Sequence, residues 1–138
     1  MLDTISQRSI SSAHALRLVS LAVEVATAQG IAIAAVVVDA HGRIKAQVVM
    51  DNAALIADAL VVKKARTALL GLSSADFAAA LEASPAMAQS FLQLPDICLL
   101  GGGYPLVDAG VVVGAFAVGG ATVAQDMACA EVVLAGLG

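Results

Sequence analysis

Residues 31–38 (IAIAAVVV) are an unbroken apolar run, too short and too rich in β-branched residues for a helix, and they predict a strand buried on both faces. Asp39, Ala40, His41 and Gly42 supply a turn, and residues 43–50 (RIKAQVVM) open with the alternation of a strand less buried at its start. Together the two runs predict a β-hairpin. Ahead of it lies a helix, with Ser9 as the N-cap whose hydroxyl accepts from an orphan first-turn amide, and Gly30 as the stop. At about 100° per residue, His14, Leu18, Leu21 and Val25 share one face while Leu16, Val19 and Val23 take nearly the opposite one. Arg17, Ser20, Glu24 and Thr27 are left as a narrow polar wedge. One apolar face is expected on a sheet, the other on a second element or a second subunit.

A long helix is predicted over residues 53–70 (AALIADALVVKKARTALL), stopped at Gly71. Ser73 or Ser74 caps a shorter helix through Glu82, and Pro85 starts another through about Gln93, where the missing amide costs nothing. The last third is strand-like. Residues 97–100 run into the loop Gly101-Gly102-Gly103-Tyr104-Pro105, and a hairpin turn at Asp108-Ala109-Gly110 leads into a strand over 111–118. Gly119 and Gly120 then release the chain into a final helix over 121–134, with Thr122 as its cap. The order of helix, two strands, helices, three strands and helix predicts an α+β fold with a mostly antiparallel five-stranded sheet covered by helices. No linker, repeat or low-complexity tract divides the chain, so residues 1–138 read as a single domain.

Composition adds a constraint. The chain is 60% hydrophobic and 13% charged, against roughly 25% charged residues in an ordinary soluble domain. Much of the excess is alanine, and so much apolar surface predicts a homo-oligomer. It does not predict a membrane span, because the longest charge-free stretch, residues 109–125, has 17 residues and four glycines, short of the roughly 20 apolar residues a span requires. The start MLDTISQRSI lacks the basic residues and apolar stretch of a signal peptide, which points to a cytoplasmic location. Cys98 and Cys129 show no metal-site spacing. A net charge of −4 and four aromatic residues argue against nucleic acid as a partner.

The hairpin VVVDAHGRIKAQVVMD, the segment KKARTALLG, the loop LLGGGYPL and the ending VVVGAFAVGGATVAQDMACAE, in that order, resemble the haem-binding GlcG/HbpS family, which includes the C-terminal domain of PduO proteins. The similarity runs from the helix around His14 to Glu131. It implies a profilin-like or PAS-like α+β fold, oligomeric assembly, and, in some members, binding of haem or a related tetrapyrrole such as a corrinoid. It does not imply the adenosyltransferase activity of PduO proteins, which belongs to a different domain. The chain departs from the pattern at Val49-Met50-Asp51, where many relatives carry an Arg before the Met-Asp pair.

A few residues could carry chemistry. His14 sits in an apolar stripe, where an imidazole needs a partner; a backbone carbonyl would make it a core histidine, and a haem iron would make it an axial ligand. Lys64 and Thr67, three apart, share a helix face and could offer an ammonium and a hydroxyl to a small-molecule ligand's carboxylate. The resemblance favours the same pair, because the family pattern of Lys-Ala followed by Thr-Ala is matched by Lys64-Ala65 and Thr67-Ala68. Without a ligand, Lys64 with its neighbours Lys63 and Arg66 is a helix surface salted for solubility. Gly101, Gly102 and Gly103 permit close backbone approach and could form an anion-binding nest, with Tyr104 beside them as the only phenol; the spacing is not that of a P-loop. Three functions fit: a small-molecule binder, most sharply a haem or tetrapyrrole binder; an isomerase, lyase or hydrolase acting on a small organic acid or aromatic catabolite through Lys64 or His14; and a structural or regulatory oligomer.

Overall fold

The most apolar segments of the chain form the centre of a sheet. In the computed structural model, which describes residues 1–136, β1 (Ala34–Asp39) and β4 (Val111–Gly119) run antiparallel side by side, and β1 is buried along its whole length. β2 (Ile44–Val49) flanks β1 and β3 (Gly103–Asp108) flanks β4, in the order β2-β1-β4-β3 with every neighbouring pair antiparallel. The helices are α1 (Ser12–Gln29), α2 (Ala57–Ala68), α3 (Ser74–Leu81), α4 (Pro85–Leu92) and α5 (Val123–Ala135). The α+β class expected from the element order is therefore observed, but among the described residues the sheet has four strands, not five.

The missing strand is 97–100. Its backbone is tied to α2 through a side chain, the Cys98 amide donating to Thr67 Oγ1 at 2.9 Å, and it joins no strand ladder. A second correction concerns the start of α1. Ser11 is the cap, accepting from the His14 amide at 3.1 Å, whereas Ser9 lies outside the helix and accepts from the Ala40 amide at 3.0 Å. The next residue continues that crossing, Ile10 N donating to Val113 O at 2.8 Å. The N-terminal segment is thus pinned across the end of the β1–β4 ladder instead of entering the helix two residues earlier.

Strand alternation separates two cores. Ala35, Val37, Phe116 and Val118 face α1 and α5, while Val36, Val38, Ala115 and Ala117 face α2. On the second face Ala57, Ala65 and Ala68 of α2 meet the alanines of β4, so small side chains on both sides bring the helix backbone close to the sheet. The alanine excess is used in that close approach. On α1 the buried stripe is Ala15, Leu18, Val19, Ala22 and Ala26, and Leu16 on the other predicted face stands 58% exposed. Among the described residues no helix is long and apolar enough to cross a membrane.

The β1–β2 turn is organised by one buried carboxylate. Asp39 Oδ1 accepts from the His41 and Arg43 amides at 2.9 and 3.0 Å, and Oδ2 accepts from Arg43 Nε at 3.0 Å. Burial alone would raise the pKa of this carboxyl, but the two amides and the guanidinium outweigh it and hold the group below its ordinary 3.8. A depressed folded-state pKa contributes stability that is present above the unfolded value and lost as pH falls through the folded one. Asp39→Asn is therefore expected to cost about 1–3 kcal/mol at neutral pH. The deficit should shrink below about pH 4, and urea unfolding at a series of pH values measures both. A deficit independent of pH would show that the charge of Asp39 is not what holds the turn.

Candidate functional site

The first turns of α1, the segment before it, β3 and the end of α5 enclose a groove of about 700 Å³. Its walls are Leu18, Pro105, Leu106, Val113 and Leu134, and His14 lines it from α1. His14 is half-buried, its backbone amide serves the Ser11 cap, and its imidazole makes no hydrogen bond among the described residues. At the rim Arg8 pairs with Asp108 and also donates to the Asp108 carbonyl at 3.1 Å. An aliphatic slot of this volume lies within the range of small-molecule and cofactor sites, roughly 300–1,000 Å³. An imidazole with an open ring nitrogen inside such a slot can ligate a metal centre carried in by an apolar group. No three His, Cys, Asp or Glu side chains among the described residues are grouped to hold a metal ion by themselves.

The other residues singled out from sequence are not in this groove. Lys64 lies on the opposite face of the sheet, 2% exposed, with Nζ donating to Val118 O at 3.1 Å and to Asp126 Oδ2 at 3.2 Å. The other oxygen of Asp126 accepts from the Ala121 amide at 3.0 Å, so the pair ties α2 to the start of α5. Thr67 is fully buried on the same helix, donating to Lys63 O at 2.8 Å and accepting from Cys98 N. Gly102 and Gly103 pack against the Lys64 region: a Cβ on Gly102 would lie 2.5 Å from Val118 O, and one on Gly103 would lie 2.4 Å from Lys64 O, whereas one on Gly101 would meet Met127 and Val123 of α5. The Gly103 amide donates to Ser74 Oγ at 2.9 Å. Lys64, Gly102 and Gly103 are therefore brought together, while Thr67, on the same helix, serves the 97–100 segment and Gly101 packs on α5.

Tyr104 points away from that cluster. Its hydroxyl donates to Glu131 Oε1 at 3.1 Å in a smaller pocket of about 450 Å³ that also holds Asp76 and shares Pro105 and Leu134 with the His14 groove. Burial first, then the bond to Glu131 and the charges of Glu131 and Asp76, push the phenol above its ordinary pKa, so it stays a neutral donor. The wall between the two pockets is aliphatic.

Residues 10–135 match the family model described as haem degrading protein HbpS-like. The chain belongs to the HbpS-like family. Similar solved structures include Klebsiella pneumoniae protein ORFY, 28% identical, with 98% of this chain and 94% of that one covered at a TM-score of 0.85. A Streptomyces reticuli HbpS double mutant is 25% identical, covering 98% and 91% of the two chains at a TM-score of 0.88. PduOC in complex with haem is 29% identical, covering 92% and 94% at a TM-score of 0.80. No curated protein sequence matches the chain.

In this HbpS-like chain three partners escaped the sequence reading. Asp126 is 62 residues from Lys64, yet a signal existed: Lys64 follows Val61 and precedes Ala65 and Ala68 on one helix face, and a lysine there requires a carboxylate. Glu131, 27 residues along the chain from Tyr104, is the acceptor for its hydroxyl. Arg8 precedes the first helix in a segment with no periodicity, so nothing in the pattern placed it at the rim of a groove. Cys129 is buried beside Asp126, and burial with that charge pushes its thiol up to about 11, so the HbpS-like core holds no thiolate there at neutral pH.

Proposed function

We propose that this HbpS-like protein binds haem in the groove beside α1, with His14 as axial ligand to the iron. The observation that carries the reading is the His14 imidazole, half-buried in an aliphatic slot and free of protein hydrogen bonds among the described residues. Haem bound there would supply an iron centre with redox chemistry; the chain supplies one nitrogen ligand, apolar walls that exclude water, and Arg8 at the rim, whose pairing with Asp108 a propionate would have to share. Support comes also from PduOC, whose structure is a haem complex. A tetrapyrrole is favoured over a small organic acid because the ammonium that would serve an acid, Lys64, lies in the core in a satisfied ion pair. We place Lys64, Thr67, Gly101, Gly102 and Gly103 as the scaffold of the site and Tyr104 beneath its wall.

Haemin titration of the purified protein tests this. A saturable Soret change at micromolar haemin is expected, with His14→Ala weakening binding by about tenfold or more and shifting the band. Titrations that coincide for the two proteins would remove His14 from the site, and cobalamin competing as well as haemin would move the reading to a corrinoid. The assembly is proposed to be a homo-oligomer, because Leu55 and Ile56 stand 95% and 61% exposed side by side ahead of α2. Light scattering that returns the mass of a single chain would contradict it.

A further inference from the structure

A second pocket, of about 580 Å³, opens on the α2 side of the sheet between the β1–β2 turn, the end of α2 and the connection from α4 to β3. Its rim and its wall differ in character. The rim carries His41, Arg43 and Arg66, two of the seven Lys and Arg residues and one of the two histidines in a chain of net charge −4. The wall is Leu69, Leu70, Phe91, Leu94 and Ile97, with Leu70 and Leu94 each about half exposed. Nothing in the haem reading uses these residues, since the pocket lies across the sheet from His14.

Both guanidiniums are held from behind. Arg66 Nε donates to Gly42 O at 3.0 Å and Nη1 to Asp96 Oδ1 at 3.2 Å. Arg43 Nε is taken by the buried Asp39 carboxylate at 3.0 Å. Fixing Nε orients the planar fork while leaving terminal nitrogens unused: both on Arg43 and Nη2 on Arg66 have no protein acceptor among the described residues. Asp96 is the carboxylate at the rim, and Arg66 already takes it. Two pre-oriented forks above an aliphatic wall match one chemistry, a carboxylate head on an apolar tail. We propose that this pocket is a binding site for an aliphatic carboxylate, distinct from the haem groove, with Arg43 and Arg66 receiving the carboxylate and Leu69, Leu70 and Leu94 the tail.

The test uses octanoate as the probe and octan-1-ol as the same tail without the charge, read by amide chemical shifts of the full-length protein. Octanoate is expected to move the Gly42, Arg43 and Ile97 amides saturably and leave the His14 and Leu18 amides in place. Octanol is expected to bind at least about tenfold more weakly, and Arg43→Gln to lower octanoate affinity by about tenfold, the worth of one charge-assisted bond. Arg43 is exposed, so its variant should fold even if Arg66→Gln, which also loses the Gly42 bond, does not. His14→Ala should leave octanoate binding unchanged, which keeps this result independent of the haemin titration. Equal binding of octanol and octanoate, unchanged affinity in Arg43→Gln, or shifts confined to the His14 groove would each overturn the proposal.

Discussion

Lys64→Met is expected to destabilise the protein by about 3–5 kcal/mol, because it strips the counter-charge from a carboxylate that has no access to water. Lys64 and Asp126 are 2% and 3% exposed, and 3.2 Å separates Nζ from Oδ2. Desolvating both ions costs more than their attraction is worth in many proteins, so the pair itself is no large source of stability; the damage comes from leaving one member behind. Methionine fills the volume of the lysine stem, which keeps cavity formation out of the comparison. The loss would be a large share of a typical stability of about 5–15 kcal/mol and lower the melting temperature by roughly 10 °C. Lys64→Met combined with Asp126→Asn should recover much of it, since the amide oxygen can still accept from Ala121 N and no charge remains. Chemical denaturation of the single and double variants measures the coupling. A single variant as stable as wild type, or a double variant no better than the single, would mean that Asp126 finds water or protonates on losing Lys64.

The same pair shows where sequence reasoning reached and where it stopped. The strands at 34–39 and 111–119 and the caps at Ser73 and Thr122 were legible because each is a local consequence of side-chain type and period. The hairpin turn expected at Asp108-Ala109-Gly110 was legible too, although Asp108 closes β3 and only Ala109 and Gly110 form the turn, with positive φ of 49° and 79° as a tight hairpin requires. Residues 97–100 misled because β-branched and leucine content predicts a strand wherever an edge is free. Here Thr67 takes the Cys98 amide, and β3 begins only at Gly103. The candidate site was half legible. His14 in an apolar stripe announced a side chain needing a partner. That Lys64 belongs on the other side of the sheet follows from which face of β4 meets α2, a property of the assembled layers. Arg8 and Glu131 depend on contacts about 100 and 27 residues away, which no window along the chain contains.

Gly103→Ala is expected to cost about 3 kcal/mol, the upper part of the range for overpacking a filled core. The added Cβ would stand 2.4 Å from the Lys64 carbonyl oxygen and 2.7 Å from its carbonyl carbon. These are helix backbone atoms, so no rotamer change relieves the contact. Either α2 lifts from the sheet, opening the Ala65 and Ala117 contact, or β3 slips and loses the bond from the Gly103 amide to Ser74 Oγ. Gly30→Ala serves as the comparison: its φ is +70° and a Cβ there meets nothing within 4 Å. Its cost is backbone strain alone, about 1–2 kcal/mol. The two substitutions therefore separate steric contact from conformational preference in one chain, and urea midpoints rank them. Haemin titration of the folded fraction of Gly103→Ala adds the functional half. If the glycines serve helix-to-sheet packing and α2 is what yields, stability falls while the affinity of the remaining folded protein holds, because the His14 groove lies beyond the sheet; a slip of β3, which carries the groove walls Pro105 and Leu106, would weaken binding as well as stability. Unchanged stability with weakened ligand binding would assign the loop to ligand contact instead.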